Sequence, residues 1–374
     1  MNIEHPISNN DIITEKLDKT LESGVENKVF PCAVLLVSHQ GKEVYFDSKG
    51  SLSGLTDLGP VNNDTIFDLA SLTKPFATCY AMMKIVDAGS IGLDQPLGTI
   101  LNKSSLNDKK DLTPRHILSH SAGFPDWKPY YVDLIDHELS TRKKLLRKRL
   151  IEEPLEYNIG EACKYSDPGF MILEWVIEEI SGIPMHRYLE MNFYEPLGLE
   201  RLFLSNRTNT GRFEQQVFAP TENCPWRERV IQGEVHDDNA YALGGYSGHA
   251  GLFGDARGAY ILVNLLREHY YGERCDYFMP ETVREFFKRQ DIVDNCTWAL
   301  GWDTPSPEGS SSGRLFSPKS VGHLGFTGTS IWMDLEKDVI VIFLTNRVHP
   351  TRDNQKIREF RPIIHDVIME RLGY

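Results

Sequence analysis

What this 374-residue chain lacks narrows its function first. It has no positive excess: 40 Lys and Arg against 53 Asp and Glu leave a formal net charge of −13. A protein that grips nucleic acid or an anionic membrane presents a basic face, so neither is expected as a partner. The one basic run, Arg142 to Arg149 in "TRKKLLRKRL", interleaves its cations with leucines at helical spacing and reads as a solvated helix face. No window approaches the roughly 18 apolar residues of a membrane span. The opening residues, "MNIEHPISNNDIITEKLDK", carry neither an apolar core nor a basic lead, so no signal peptide is expected and the expected setting is cytoplasmic. The six cysteines (32, 79, 163, 224, 275 and 296) are scattered without a C-x-x-C, which suits reduced, mostly buried thiols better than disulfides or zinc. A zinc peptidase needs H-E-x-x-H, and His137-Glu138 has no second histidine. G-x-S-x-G occurs once, Gly309 to Gly313, inside a Pro/Gly/Ser-rich stretch (306–318) that reads as an exposed loop rather than a strand-to-helix elbow.

What is present is an ordinary soluble composition, 41% hydrophobic and 25% charged, with enough length for a sizeable core. Residues 11–24 read as an amphipathic helix. "CAVLLVSHQGKEVYFDSKG" reads as two strands about a Gln40-Gly41 turn. A helix follows from Asp68 or Ser71, either of which can cap it, through "PFATCYAMMKIVDAG", with Pro75 in its first turn. Residues 101–235 are mostly helical in pattern, "MILEWVIEEISG" most clearly, with Gly182 as its stop. Strand signals return near 295 in "WALGW", "SVGHLGF" and "TSIWMDLEKDVIVIFLTNR", the last a hairpin about Glu336-Lys337-Asp338, and 355–372 reads as a closing helix. The expected class is α+β. One antiparallel sheet is built from both chain ends and flanked by the terminal helices, with a mostly helical lobe inserted between. The whole forms a single domain over 10–374, its sheet lobe about 10–100 and 236–374, its helical lobe about 101–235.

Three stretches carry chemistry. In "FDLASLTKPFAT", Ser71 and Lys74 form S-x-x-K. Residues three apart on a helix share a face, so the amine can reach a hydroxyl that is otherwise a poor nucleophile. A capping serine with an exposed lysine fits the same letters. The second S-x-x-K, Ser140 to Lys143, falls in the basic run with no sign of a cleft. In "CKYSDPGF", Tyr165 precedes Asp167 by two residues, and a phenol beside a cation can move a proton. In "GHLGFTGTS", three glycines let a strand edge approach a ligand, and His323 adds an imidazole.

In this order the three resemble the active-site set of the serine hydrolases related to class C β-lactamases. That superfamily includes penicillin-binding DD-peptidases, D-aminopeptidases, esterases and cell-wall-recycling amidases. Its pattern is S-x-x-K, then Y-x-N, then K-T-G or H-x-G. The likeness extends through "DLTPRHILSHSAGF", "FYEPLGLERLFL" and "GHAGLFGDARGAYILVNLL", from about residue 11 to 372. It implies an acyl-enzyme on Ser71, with Lys74 and Tyr165 managing the proton. The N–H groups of Ser71 and Phe326 would form the oxyanion hole, Asp167, Gly325 and Phe326 would line the substrate, and His323 the leaving-group or carboxylate side. Which of Lys74 and Tyr165 is the base stays open. No cofactor and no metal are expected, and the expected partner is a small or peptide-like substrate.

Two departures matter. Asp167 stands where the family often has asparagine, and a carboxylate near Lys74 favours the ammonium. His323 stands where penicillin-recognising members carry lysine; an imidazole of ordinary pKa is mostly neutral at pH 7, so pairing with a substrate carboxylate weakens. That leans toward an esterase or amidase and away from penicillins and D-Ala-D-Ala. The phrase "GEVHDDNA" resembles one in members associated with peptidoglycan-fragment recycling, which implies a muropeptide-like substrate. His236, Asp237 and Asp238 within it read as a polar cleft-lining loop rather than a metal cluster.

Overall fold

The computed structural model describes residues 9–52, 59–102, 106–206 and 217–374. The stretches 103–105 and 207–216 of the expected helical lobe lie outside them.

Five antiparallel strands form the central sheet: β1 (Cys32–His39), β2 (Lys42–Gly50), β3 (Ser320–Leu324), β4 (Ser330–Asp334) and β5 (Val339–Thr345), in the order β2-β1-β5-β4-β3. The expected β1–β2 turn is present, with Gln40 and Gly41 both at positive φ (53° and 69°), the geometry of a tight hairpin. The two central strands come from opposite ends of the chain, Ala33 of β1 pairing with Thr345 of β5. Both are apolar on both faces because both faces are covered. Val34, Leu36, Ile340, Ile342 and Leu344 face one core, and Ala33, Leu35, Val37, Val341 and Phe343 the other. The second core is closed by the terminal helices α1 (Asn9–Glu26) and α6 (Ile357–Arg371), through Leu17 and Leu21 from one and Phe360, Ile364 and Ile368 from the other. The first is covered by α5 (Ala256–Tyr271) and runs on into the helical layer, whose main members are α2 (Tyr80–Asp87), α3 (Leu139–Glu152) and α4 (Asp167–Ser181). The fold is the expected α+β arrangement. Among the described residues no helix is long and apolar enough to cross a membrane.

Three local expectations are corrected. "WALGW" makes an isolated bridge, Trp298 to Asp303, and no strand. The basic run lies on α3 as expected, but Arg142 is buried and donates to three backbone carbonyls. Cys163 and Cys296, 133 residues apart, are joined as a disulfide; chain folding supplied the proximity that sequence spacing did not show. Among the described residues Cys32, Cys79 and Cys224 are buried free thiols and Cys275 is an exposed one.

One glycine sets the sheet edge. Gly322 of β3 lies opposite Trp332 of β4, and the indole folds across it. A Cβ there would stand 2.3 Å from that ring and 2.5 Å from the Ile331 carbonyl. Neither can retreat, because Trp332 is fully buried. Gly322→Ala is therefore expected to cost about 1–3 kcal/mol in urea unfolding, the range for overpacking a core.

Candidate active site

The chain reaches the site through a short strand, Phe67–Asp68, held in a small sheet with Leu252–Gly254 and Phe203–Leu204. The helix expected next does not begin at a capped residue. Neither Asp68 nor Ser71 is an N-cap. A 3-10 turn covers Ala70–Leu72, a π-helical turn Lys74–Cys79, and only then does α2 start. Asp68 instead braces the turn, one carboxylate oxygen accepting from the Ala70 N–H (2.8 Å) and the other from the His236 N–H (2.7 Å). Ala70 sits at φ +48°, a conformation that costs a non-glycine residue energy and directly precedes Ser71. The wider π turn carries Pro75 at its start, where a missing N–H removes no bond.

Lys74 is completely buried. Its Nζ lies 3.2 Å from Ser71 Oγ, 2.5 Å from Tyr165 Oη, 2.6 Å from Asp167 Oδ1 and 3.4 Å from the His249 carbonyl. The S-x-x-K and Y-x-D stretches thus converge on one nitrogen. Burial would pull the Lys74 pKa down, but the Asp167 carboxylate and Tyr165 outweigh it and hold the pKa above its ordinary value. Desolvation raises the Tyr165 phenol, with Lys74 only partly offsetting it. The resting state is an ammonium beside a neutral phenol.

Tyr165 and Asp167 are delivered by the start of α4. Ser166 is its N-cap, accepting from the Gly169 N–H, and Asp167 occupies the first helical position, where a carboxylate faces the positive end of the helix dipole. His120, unremarked in the sequence reading, holds this segment. Its carbonyl accepts from the Lys164 N–H and its Nδ1 from the Ser166 N–H (3.0 Å). Its ring packs on Tyr165 and on Trp298, and burial keeps it neutral.

The third stretch closes the other side. Thr327 and Thr329 donate their hydroxyls to the Asp68 and Leu69 carbonyls (2.7 and 3.1 Å), pinning the Gly325–Gly328 turn to the serine segment. Gly325 is buried, and a Cβ on it would stand 2.7 Å from the Leu69 carbonyl; Phe326 is exposed beside it. His323, on β3, packs at a steep tilt against Tyr165 and Trp298. Its Nδ1 meets the Leu324 carbonyl at 2.8 Å, while burial and the Lys74 charge pull its pKa down to about 3. It is a neutral imidazole, as expected, and more firmly so than an ordinary histidine.

The "VHDD" residues diverge. His236 pairs with Glu222, Asp237 with His249 and Asp238 with Arg227. Ligand-type atoms of Asp167, Asp237 and His249 lie within 4.8 Å of one another. Their cation is already supplied: Lys74 takes Asp167, and His249 Nε2 lies 2.9 Å from Asp237 Oδ1. Burial disfavours a charged His249, but Asp237 and Asp167 raise its pKa above the ordinary value, and His249 in turn lowers Asp237 against the effect of burial. His249 thus lies between the Asp237 and Asp167 carboxylates, with Lys74 on the far side of Asp167. Asp237 was read as part of a cleft-lining loop, but its partner His249 was missed because only folding brings the two together. The second S-x-x-K has no such surroundings: Lys143 pairs with Glu174 and Glu178 on α4.

This two-lobed mixed fold, with a serine, a lysine and a tyrosine gathered at one turn, defines a β-lactamase/transpeptidase-like protein. The chain belongs to the Beta-lactamase family, whose model matches residues 17–364, and it is thereby a member of a serine hydrolase superfamily. A protein of Salmonella heidelberg named "Putative D-alanyl-D-alanine carboxypeptidase" is 33% identical over 318 residues, 79% of this chain and 72% of that protein. In structure the chain resembles EstCE1, described as a hydrolase with promiscuous acyltransferase activity (TM-score 0.72, 19% identity, 94% of this chain and 99% of that one). It also resembles the octameric penicillin-binding protein homologue of Pyrococcus abyssi (TM-score 0.71, 20% identity, 93% and 77%).

Asp167→Asn removes the anion that raises the Lys74 pKa. With burial then dominant, Lys74 loses its proton at lower pH. The acid limb of the kcat/KM profile on a chromogenic ester is expected to move to lower pH by about 1–3 units, the usual effect of an opposite charge at this range.

Proposed function

We propose that this protein hydrolyses an amide or ester bond in muropeptide-like compounds through an acyl-enzyme on Ser71. The observation that carries the reading is the Lys74 nitrogen within 3.2 Å of Ser71 Oγ and 2.5 Å of Tyr165 Oη. As Ser71 Oγ bonds to the substrate carbonyl carbon, its proton passes to the Lys74–Tyr165 pair once that pair has lost one proton. The pair titrates as a unit, so the base is the pair rather than either member. The carbonyl oxygen, now negative, is met by the Ser71 and Phe326 N–H groups. The pair returns the proton to the departing nitrogen or oxygen as the carbon–leaving-group bond breaks. A water then attacks the ester, loses its proton to the same pair, and frees Ser71 and the acid.

Two observations bear on the substrate. The relatives' printed name points to peptides of the D-alanyl-D-alanine kind. His323, neutral and buried, offers no fixed cation to a terminal carboxylate, which favours an internal amide or an ester over penicillins. A D-alanyl-D-alanine carboxypeptidase is the second reading, supported by the 33% identity to proteins so named.

Intact mass after fluorophosphonate treatment tests the mechanism. One adduct, mapped to Ser71 and absent in Ser71→Ala, is the expected result. Hydrolysis that persists in the purified alanine variant would sink it and leave a binding protein. Release of product from a muropeptide but not from a D-Ala-D-Ala peptide then separates the two substrate readings.

A cytoplasmic setting is part of the proposal, and Cys163 and Cys296 test it. The structure joins the two; a reducing cytoplasm would open that bond, so rapid iodoacetamide trapping in the native cell is expected to label both thiols. Labelling that needs prior reduction would place the protein in an oxidising compartment.

A further inference from the structure

Beside the catalytic turn, a row of aromatic rings faces water. Trp127 and Trp226 are 42% and 41% exposed, large fractions for indoles in a chain with this much core. Tyr131 lies between them, its centroid 6.5 Å from Trp127 and 5.4 Å from Trp226, stacked on the latter at 29°.

The row is built and held in place. Buried Asn239 accepts from the Tyr131 N–H and donates to the Lys128 carbonyl, both at 2.8 Å, so one side chain fixes the segment that carries Trp127 and Tyr131. The Trp226 Nε1–H is already given to Asp238 (3.0 Å), and the Arg227 guanidinium sits 5.0 Å from the Trp226 ring centre. With its nitrogen satisfied and Tyr131 and Arg227 against its ring, Trp226 still leaves 41% of its surface open to water as apolar ring and no unmet polar group.

The row also joins the active site at both ends. The Asp126 carbonyl, one residue from Trp127, accepts from the N–H of Asp167, whose carboxylate holds Lys74. Asp238, which anchors Trp226, follows Asp237, the partner of His249. The wall is thus built on the same segments that carry Asp167 and Asp237.

We infer that the Trp127–Tyr131–Trp226 wall is the subsite for a sugar ring of the substrate, stacked by its apolar face. The shape asks for a flat partner. The rim suits one with hydroxyls: Asp126 and Lys128, flanking Trp127, have side chains 65% and 42% exposed and hold their ion-pair partners, Lys164 and Glu153, only at 3.7 and 3.4 Å, so a carboxylate and an ammonium keep hydrogen-bonding capacity that an alkyl group would not use. A pyranose has an apolar face and an equatorial belt of hydroxyls that meet both demands. The inference rests on the muropeptide reading above and specifies which part of that substrate is gripped away from the scissile bond.

The test uses Ser71→Ala protein, which binds without turnover, and its tryptophan fluorescence. The probes are a muramyl dipeptide and the same dipeptide without the sugar. The sugar-bearing probe is expected to bind about tenfold more tightly, the upper range for one good ring contact. Trp226→Ala and Trp127→Ala are expected to erase that advantage, while Trp226→Phe, which keeps a ring face, retains most of it. Thermal melts confirm that each variant is folded. Equal binding of the two probes, or an advantage that survives in both alanine variants, would overturn the subsite. So would a larger dependence on Trp226 for a medium-chain acyl ester than for the muramyl probe, which would make the wall an acyl site. The two readings fail separately. Tryptophan-dependent sugar binding without any cleavage by the Ser71 enzyme keeps the subsite and removes the muropeptide activity. Cleavage that ignores both tryptophans keeps the activity and removes the subsite.

Discussion

A buried ammonium ion holds this active site together. Removing a lysine charge from water costs several kcal/mol unless other groups replace the lost hydration. Here a hydroxyl, a phenol, a carboxylate and a backbone carbonyl do so, drawn from three segments of the chain. The start of α4 exists as a delivery point for two of them. The 247–249 loop, which supplies the carbonyl, is itself held by buried Glu174, accepting from the Ser247 hydroxyl and the Gly248 N–H. Thr78 adds a further tie, its hydroxyl donating to the Gly248 carbonyl. The groups that make the charge tolerable are also the groups gathered around Ser71.

Much of this was legible in the letters. The Gln40-Gly41 hairpin and the Gly182 stop are local events, settled by backbone conformations that few residues favour, and both appear as read. Ser71, Lys74 and Tyr165 could be singled out because their chemistry demands those side chains in that order. Asp167 followed from its place two residues beyond Tyr165. Other features had no local signature. His249 and Asp237 are twelve residues apart with nothing periodic between them, and only the turn through Gly244 and Gly245 sets imidazole on carboxylate. His120 and Trp298 act by packing on Tyr165 from distant segments. The start of the serine helix was misread for a related reason. Asp68 and Ser71 have good capping side chains, but a tertiary bond from His236 claims the first and the Lys74 ammonium, one turn on, the second.

The third strand shows how a family frame changes its selectivity at low structural cost. A lysine at position 323 would bring a fixed positive charge beside Lys74, and the two would repel in a poorly hydrated site. The histidine avoids that by staying neutral, with His120, Tyr165 and Trp298 as aromatic neighbours.

The pairing of β1 with β5 has a consequence for how the protein comes into being. Ala33 meets Thr345 and His39 meets Val339, so the middle of the sheet is the last thing the ribosome makes possible. Until then β1 is a long apolar strand with an open edge, the kind of segment that seeks other partners. The turn bearing Phe326 also lies late in the chain, between β3 and β4, and Thr327 and Thr329 tie it back to Asp68 and Leu69. A chain that stops short of β3 therefore lacks both one wall of the cleft and the strand that covers the edge of β1.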